Sequence, residues 1–465
     1  MEFLNKLNGL AWGPWMLVLL VGTGIYLTFR VKFIQVRKFT YIIKNTIGKM
    51  FEKIELKEGE ISPFQAVSTA LAATVGTGNI AGVTGAIVVG GPGAVFWMWV
   101  SAFFGMVTKY SEIVLAVKYR EKNEKGDWVG GPMYYIKNGL GKKFNWLAIL
   151  FCLLGSIAAF GIGNMTQVNT IANSIDNAWT SLGFASASFM LFGQNVTYVK
   201  LIVGMIVSGL IGLVLFGGIK RIGAIAEKIV PTMALVYVCI SLIFLITNYQ
   251  FIGQAFTMIF KGAFNARAAL GGGVGIAILT TIQKGVGRGV FSNEAGLGSA
   301  PMAHASTSET NPVKQGLYGI FEVFMDTIVI CTITALTLLC GYLSGVDVVW
   351  GVDAGTELIA SSYSLLFGNQ MGSMIIAICI TLFAFSTILS WALYGSRCCE
   401  YLFGTKNIKI YQIAFMIVIV LGACLKLDVV WTIADTLNGF MAIPNLIAIL
   451  TLSPIVIKMT KEYFN

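Results

Sequence analysis

The sequence predicts an all-α polytopic membrane protein of about eleven transmembrane helices, built as an inverted five-plus-five repeat behind one extra N-terminal helix. Three observations predict it. Of 465 residues, 56% are hydrophobic and only 12% charged, and the mean hydropathy of +0.78 belongs to polytopic membrane chains rather than soluble ones. Lys and Arg crowd one set of alternate loops. Two long apolar stretches are interrupted at their centres by glycines and polar side chains.

Apolar spans of roughly 20 residues fall at 11–30, 63–89, 92–118, 144–172, 200–218, 228–248, 269–300, 317–343, 371–396, 409–425 and 436–457. The first has no small-residue cleavage site after it and reads as a retained helix, not a signal peptide. Of the 32 Lys and Arg, 24 lie in loops on one side and five on the other, which predicts a cytoplasmic C-terminus and an external N-terminus in a cell membrane. The net charge of +10 therefore reports topology, not nucleic-acid binding. Loop 344–370 carries only acidic charges, Asp347, Asp353 and Glu357, and reads as an external lid. The segment Val129 to Tyr135 reads as a turn and an interfacial stretch without chemistry.

All eight cysteines lie in or beside apolar spans, so they read as packing residues rather than a disulfide framework. The single histidine, His304, falls in a polar stretch, which leaves no material for a His-based metal site or proton relay.

The first interruption is Thr74-Val75-Gly76-Thr77-Gly78-Asn79-Ile80-Ala81-Gly82, within a segment free of charge between Glu60 and Lys109. Lipid offers nothing to the N–H and C=O groups freed by a broken helix, so such backbone survives only where it lines a cavity. The second is Gly271-Gly272-Gly273-Val274-Gly275 followed by Thr280 to Gly289 and Asn293-Glu294-Ala295-Gly296-Leu297-Gly298, with nine glycines between Ala269 and Ala300. Glycine-rich packing between helices is the plainer reading of either stretch alone. The second break lies five helices after the first, and an odd interval inverts the second half in the membrane. The units are then 1–62 (extra helix and cytoplasmic loop), 63–248 and 249–465 within one transport domain.

At an unwound segment, free N–H groups suit an anion and freed carbonyls a cation, so an amino-acid carboxylate and a sodium ion fit one break. Backbone around Gly76, Thr77 and Gly78 is the expected carboxylate site, with the Asn79 amide beside it. On the later span Phe383-Ala384-Phe385-Ser386-Thr387-Ile388-Leu389-Ser390-Trp391, the Ser386 and Thr387 hydroxyls are either hard oxygen donors for Na⁺ or hydroxyls bonded back to the preceding turn. The candidate Na⁺ set is Thr74, Thr77, Phe383, Ser386 and Thr387. Trp391 shares a face with Thr387 and is either a pocket wall or packing. Gln167 and Gln283 are neutral amides that either meet a zwitterion or link helices. Glu112, Glu322 and Asp326 are charged within spans, with Lys109–Glu112 and Arg288–Glu294 as candidate structural or gating pairs and proton coupling open.

Gly76-Thr77-Gly78-Asn79-Ile80-Ala81-Gly82, Gly90-Gly91-Pro92-Gly93-Ala94-Val95-Phe96-Trp97-Met98-Trp99, Gly289 to Pro301 (GVFSNEAGLGSAP), and Asp435-Thr436-Leu437-Asn438-Gly439 through Pro444-Asn445 closely resemble the alanine or glycine:cation symporter family. The resemblance runs over essentially the whole chain. It implies the fold of the bacterial leucine transporter and uptake of small neutral amino acids, alanine or glycine, with Na⁺ as the coupling ion and H⁺ as the alternative. It also implies that Thr77, Asn79, Gln167 and Trp391 face substrate, and that Ser386 and Thr387 are sodium-site hydroxyls. A channel would need polar rings recurring along one pore, whereas polar groups here gather at two breaks. An intramembrane enzyme would need a nucleophile with its base, or a metal set, and no histidine lies in any expected span.

Overall fold

The computed structural model describes all residues except 1, 50–51, 53–54, 266–277, 353 and 427. Among the described residues, nine continuous helices are long and apolar enough to cross a bilayer, and a broken pair makes a tenth span. In order these are α1 (Glu2–Arg30), the pair α2 (Pro63–Thr74) and α3 (Gly78–Gly90), α4 (Ala94–Lys118), α5 (Lys142–Ser181), α6 (Tyr198–Leu215) and α7 (Gly218–Thr247). After α8 (Tyr249–Phe264) come α9 (Ile278–Asn293), the short α10 (Pro301–His304), α11 (Pro312–Leu343), α12 (Glu357–Phe367), α13 (Asn369–Phe403), α14 (Thr405–Cys424) and α15 (Val430–Phe464). The expected span at 269–300 begins outside the described residues, and its described part is α9, an unwound stretch and the start of α10. Ten of the eleven expected spans are thus present among the described residues, several of them longer than the apolar runs because polar ends continue the hydrogen-bonded ladder.

Two short antiparallel hairpins depart from an all-helical chain. Strand β1 (Glu121–Lys122) pairs with β2 (Trp128–Val129), and β3 (Ser188–Leu191) with β4 (Gln194–Thr197), both in loops between spans. Loop 344–370, read as a lid, folds its second half into α12, which packs on α13 where Gly372 admits the Ser364 hydroxyl.

Local chemistry explains the entry into the first break. Ser62 caps α2 in a reciprocal box: the Gln65 N–H donates to Ser62 Oγ (3.0 Å) and the Ser62 N–H to Gln65 Oε1 (3.1 Å), with Pro63 at the first helical position. The Ile61 N–H donates to the Ser306 carbonyl and the Ser308 N–H to the Ile61 carbonyl, so the start of α2 is tied to the chain just beyond α10. Both broken elements therefore share an anchor outside the apolar zone. Large apolar residues exposed on α5, α6 and α7, among them Ile157, Leu213 and Ile246, form the face that lipid covers.

Candidate functional site

Helix α2 ends at Thr74 and the chain resumes helix at Gly78 after turning by 50°. The freed backbone is buried, so each donor needs a partner. The Gly76 N–H donates to Asn79 Oδ1 (2.8 Å), and the Thr77 N–H to Gln167 Oε1 (3.4 Å). Gln167 is held in turn by donating from Nε2 to the Ile162 carbonyl (3.0 Å). These two amides stand where an anion would bind. Thr77 Oγ1 is buried without a hydrogen-bond partner among the described residues.

On the other side of the break, Thr387 Oγ1 lies 3.0 Å from both the Ala72 and the Phe383 carbonyl oxygens, and Ser386 Oγ lies 3.3 and 2.8 Å from the same two. Four oxygens thus converge without a carboxylate, a hard-donor set suited to an ion of single charge. The hydroxyls bond back to the preceding turn, as one of the two sequence readings has it, and also reach across to the Ala72 carbonyl of α2. Ser390 Oγ donates to the Thr69 carbonyl (2.7 Å) and continues the docking of α13 on α2. Gly76 is where this approach is tightest, since a Cβ there would stand 2.4 Å from Thr387 Oγ1. Of the other expected Na⁺ residues, Thr74 turns its hydroxyl back to the Leu71 carbonyl (3.3 Å), outside the group. The Ala72 carbonyl, which carries no side-chain signal, is the member of this oxygen group that the sequence does not point to.

At the second break, α9 ends at Asn293, whose Oδ1 accepts from the Ala295 N–H (3.0 Å). Glu294, Gly296 and Gly298 adopt positive φ (55°, 93° and 81°), which stops the helix, and the chain re-enters helix at Pro301. The polar run Asn293 to Gly298 is thus the break, while Gly271–Gly275 lie outside the described residues. The Gly298 N–H donates to Glu112 Oε1 (3.1 Å), and Asn445 Nδ2 donates to the Gly296 carbonyl (2.8 Å) and to Glu112 Oε1 (2.5 Å). Tyr135, from the segment to which no chemistry was assigned, donates its hydroxyl to Asn445 Oδ1.

Three π-helical turns flank the breaks: Gly78–Gly82 in α3, Gly161–Met165 in α5 and Phe324–Cys331 in α11. Such turns re-aim side chains by inserting a residue, and they recur at functional sites. Here they present Asn79, Gln167 and Asp326. Asn79 Nδ2 donates to Asp326 Oδ1 (2.7 Å), and Ser292 Oγ lies 3.1 and 2.9 Å from the two Asp326 oxygens. Trp391 is buried one turn beyond Thr387, its Cβ so close to Gly163 that a side chain there is excluded, and its ring meets Tyr394 edge-on at 5.7 Å. Gln283 is half-buried on α9, more than two turns before Ser292, and among the described residues no hydrogen bond joins it to the other candidates.

The expected charge pairs are exchanged. Lys109 meets Glu322 (3.0 Å) rather than Glu112, Arg288 lies over the Phe291 ring (5.3 Å), and Glu294 Oε2 accepts from Ser299 Oγ (2.5 Å). His304 corrects the sequence reading most. It is fully buried, its Nε2 is 3.2 Å from Glu322 Oε2, and its Nδ1 is 2.9 Å from Gln315 Nε2. Among the described residues, no group of three or more His, Cys, Asp or Glu is placed to hold a metal ion.

Comparison with known proteins agrees with this geometry. The family model described as Sodium:alanine symporter family matches residues 1–465. The chain is 46% identical to the sodium/alanine symporter AgcS of Methanococcus maripaludis over 99% of its own length and 97% of that relative. It is 38% identical to the probable sodium/glutamine symporter GlnT of Bacillus subtilis over 98% of its length and 89% of that relative. The crystal structure of MhsT in complex with L-phenylalanine superposes with a TM-score of 0.60 at 12% identity, covering 87% of this chain and 99% of that one, so the fold is shared. Two broken helices around a core of hydroxyls, amides and carbonyls, on a chain matched from end to end, make this protein a membrane transporter of the sodium:alanine symporter family.

Proposed function

We propose that this protein carries Na⁺ and a small neutral amino acid together into the cell by alternating access, with alanine the first substrate and glycine the second. The observation that carries the reading is the placement of four convergent oxygens, from Ala72, Phe383, Ser386 and Thr387, against the same unwound turn whose Gly76 and Thr77 N–H groups are held by side-chain amides. Na⁺ takes the oxygen set. The substrate carboxylate takes the place of the Asn79 and Gln167 amides at the backbone donors, with Thr77 Oγ1 as an added partner. An amide that swings away from a backbone N–H exchanges one hydrogen bond for another, so the site closes without leaving donors orphaned.

Units 63–248 and 249–465 act as the two halves whose relative rocking exposes the site, with the N-terminus outside and the C-terminus in the cytoplasm, as the charge asymmetry requires. Trp391 and the helix turn at Gly163 bound the site and favour a small side chain. Homology supports the same assignment, one relative being named for alanine and another for glutamine. Uptake of labelled alanine into proteoliposomes tests the reading: accumulation that requires an inward Na⁺ gradient is expected. Equilibration without a gradient, or accumulation driven by a pH gradient alone, would overturn it.

A further inference from the structure

Five basic side chains, Arg30, Lys32, Arg37, Lys38 and Lys461, line one cleft of about 400 Å³ where the end of α1 meets the end of α15, and among the described residues no Asp or Glu lines it. Arg30 and Lys461 sit in the last turns of their helices, where a cation answers the helix dipole. Lys32, Arg37 and Lys38 lie beyond those turns, so the dipole does not account for them. The chain holds them there at a steric cost, since Lys32 and Phe33 both adopt positive φ (57° and 54°), a region that residues with a Cβ avoid. The Lys32 N–H donates to the Phe29 carbonyl (3.1 Å) and the Phe33 N–H to the Thr28 carbonyl (2.9 Å), which fixes the turn. The short helix Ile34–Arg37 then buries Ile34 and Gln35, and Gln35 Nε2 donates to the Phe103 carbonyl of α4 (3.3 Å), while Val36 and Arg37 stay exposed. Aromatic residues tie the opposite wall: Lys38 Nζ lies 4.9 Å from the centre of the Phe464 ring, and the Tyr41 and Tyr463 hydroxyls are 2.9 Å apart.

The cleft opens at the level of the lipid headgroups. Helices α1 and α15 are both spans, and both end here, on the side that the charge asymmetry assigns to the cytoplasm. Val31, Ile34 and Ile457 give the cleft an apolar floor, and Phe29 and Val36 stand at its edge, 63% and 58% exposed. Fixed cations beside exposed hydrocarbon suit a ligand with a phosphate at one end and acyl chains at the other. A soluble anion would meet the charges and leave the apolar residues without a partner. We propose that this cleft binds one anionic phospholipid of the cytoplasmic leaflet, its phosphate held by Lys32, Arg37 and Lys461 and its acyl chains lying along Phe29 and Val36. Arg37 offers a planar fork that matches two phosphate oxygens, and the lysines add point charges. Bound there, the lipid fastens the extra N-terminal helix to the last helix of the second unit at their shared end.

Titration of the purified full-length protein, in a neutral detergent, with phosphatidylglycerol or phosphatidylcholine tests the site, with bound lipid counted by native mass spectrometry. The parent should saturate at about one phosphatidylglycerol per chain and bind phosphatidylcholine about tenfold more weakly. Lys32→Asn combined with Lys461→Gln should weaken phosphatidylglycerol binding roughly 25-fold, about fivefold for each charge removed. Asn tolerates the positive φ at position 32, so this variant should melt no lower than the lipid-free parent, and lost binding is then not lost folding. Should it melt lower, Lys461→Gln alone decides, with an expected loss of about fivefold. Lys142→Gln combined with Lys143→Gln removes two exposed charges elsewhere on the same side and should bind as the parent does. Equal affinity for the two lipids, unchanged binding in the cleft variants, or an equal loss in the Lys142 and Lys143 variant overturns the site. So does displacement of phosphatidylglycerol by equimolar glycerol 3-phosphate, which would make the cleft a seat for a soluble phosphate.

Discussion

Lys109 Nζ lies 3.0 Å from Glu322 Oε1, and both side chains are completely buried. The contact joins α4 to α11 and continues through Glu322 to His304 and Gln315, a chain of polar groups crossing the interior beside the second break. Burying two charges costs much of what their attraction returns, so such a pair contributes less to net stability than its removal by halves would imply.

Removing one partner is therefore expected to be severe. Lys109→Met should destabilise the detergent-solubilised protein by about 3–5 kcal/mol, because Glu322 is left as an uncompensated buried charge. The double change Lys109→Met with Glu322→Gln should recover most of that loss. Thermal unfolding of the three proteins checks it, and a double variant no more stable than the single one would refute the account.

Thr387→Ala removes one of the four converging oxygens proposed to hold Na⁺. The Na⁺ concentration for half-maximal uptake should rise roughly tenfold, about 1.4 kcal/mol, while the alanine KM at saturating Na⁺ stays within about twofold. Initial rates over a Na⁺ series give both quantities. An unchanged Na⁺ dependence would remove Thr387 from the site.

Gly76→Ala places a methyl 2.4 Å from Thr387 Oγ1, against a hydroxyl fixed by two carbonyls. The variant should retain less than about a tenth of parental uptake, as overpacking in a close-packed core costs about 1–3 kcal/mol. Adding Thr387→Ala makes room and should restore substrate binding, measured by protection of the protein against thermal unfolding by alanine. Failure of that second change to help would mean that Gly76 acts through some contact other than Thr387.

Trp391 fills the space beside Gly163 and Tyr394, one turn from Thr387. Trp391→Ala should admit amino acids with larger side chains, detected as stronger inhibition of alanine uptake by leucine, at a stability loss of about 3–5 kcal/mol. Equal inhibition profiles in parent and variant would make the ring packing alone.

Much of the candidate site was legible because its signals are local. A glycine and hydroxyl run in an uncharged span marks a break wherever the helices lie, and Ser386 and Thr387 announce oxygen donors by their own chemistry. What stayed hidden was non-local. His304 sits in a run that looks like a polar loop, PMAHASTS, until α11 folds over it and supplies Glu322 and Gln315. Ala72 gives no sign that its carbonyl meets the Ser386 and Thr387 hydroxyls, and the sequence pairs Lys109 with Glu112 three positions along its own helix instead of with Glu322 across the interface.

By itself the sequence determined the solvent class of each segment, the approximate span positions, the charge asymmetry and the two breaks, because hydrophobic length and glycine content act on each stretch separately. Tertiary structure decided which atoms meet. The 50° turn between α2 and α3 and the π-turns of α5 and α11 set the directions of Gln167, Asn79 and Asp326. A carbonyl, an amide and a carboxylate from distant positions become one site only when helix packing brings them within hydrogen-bonding distance, and that distance is a property of the assembled fold.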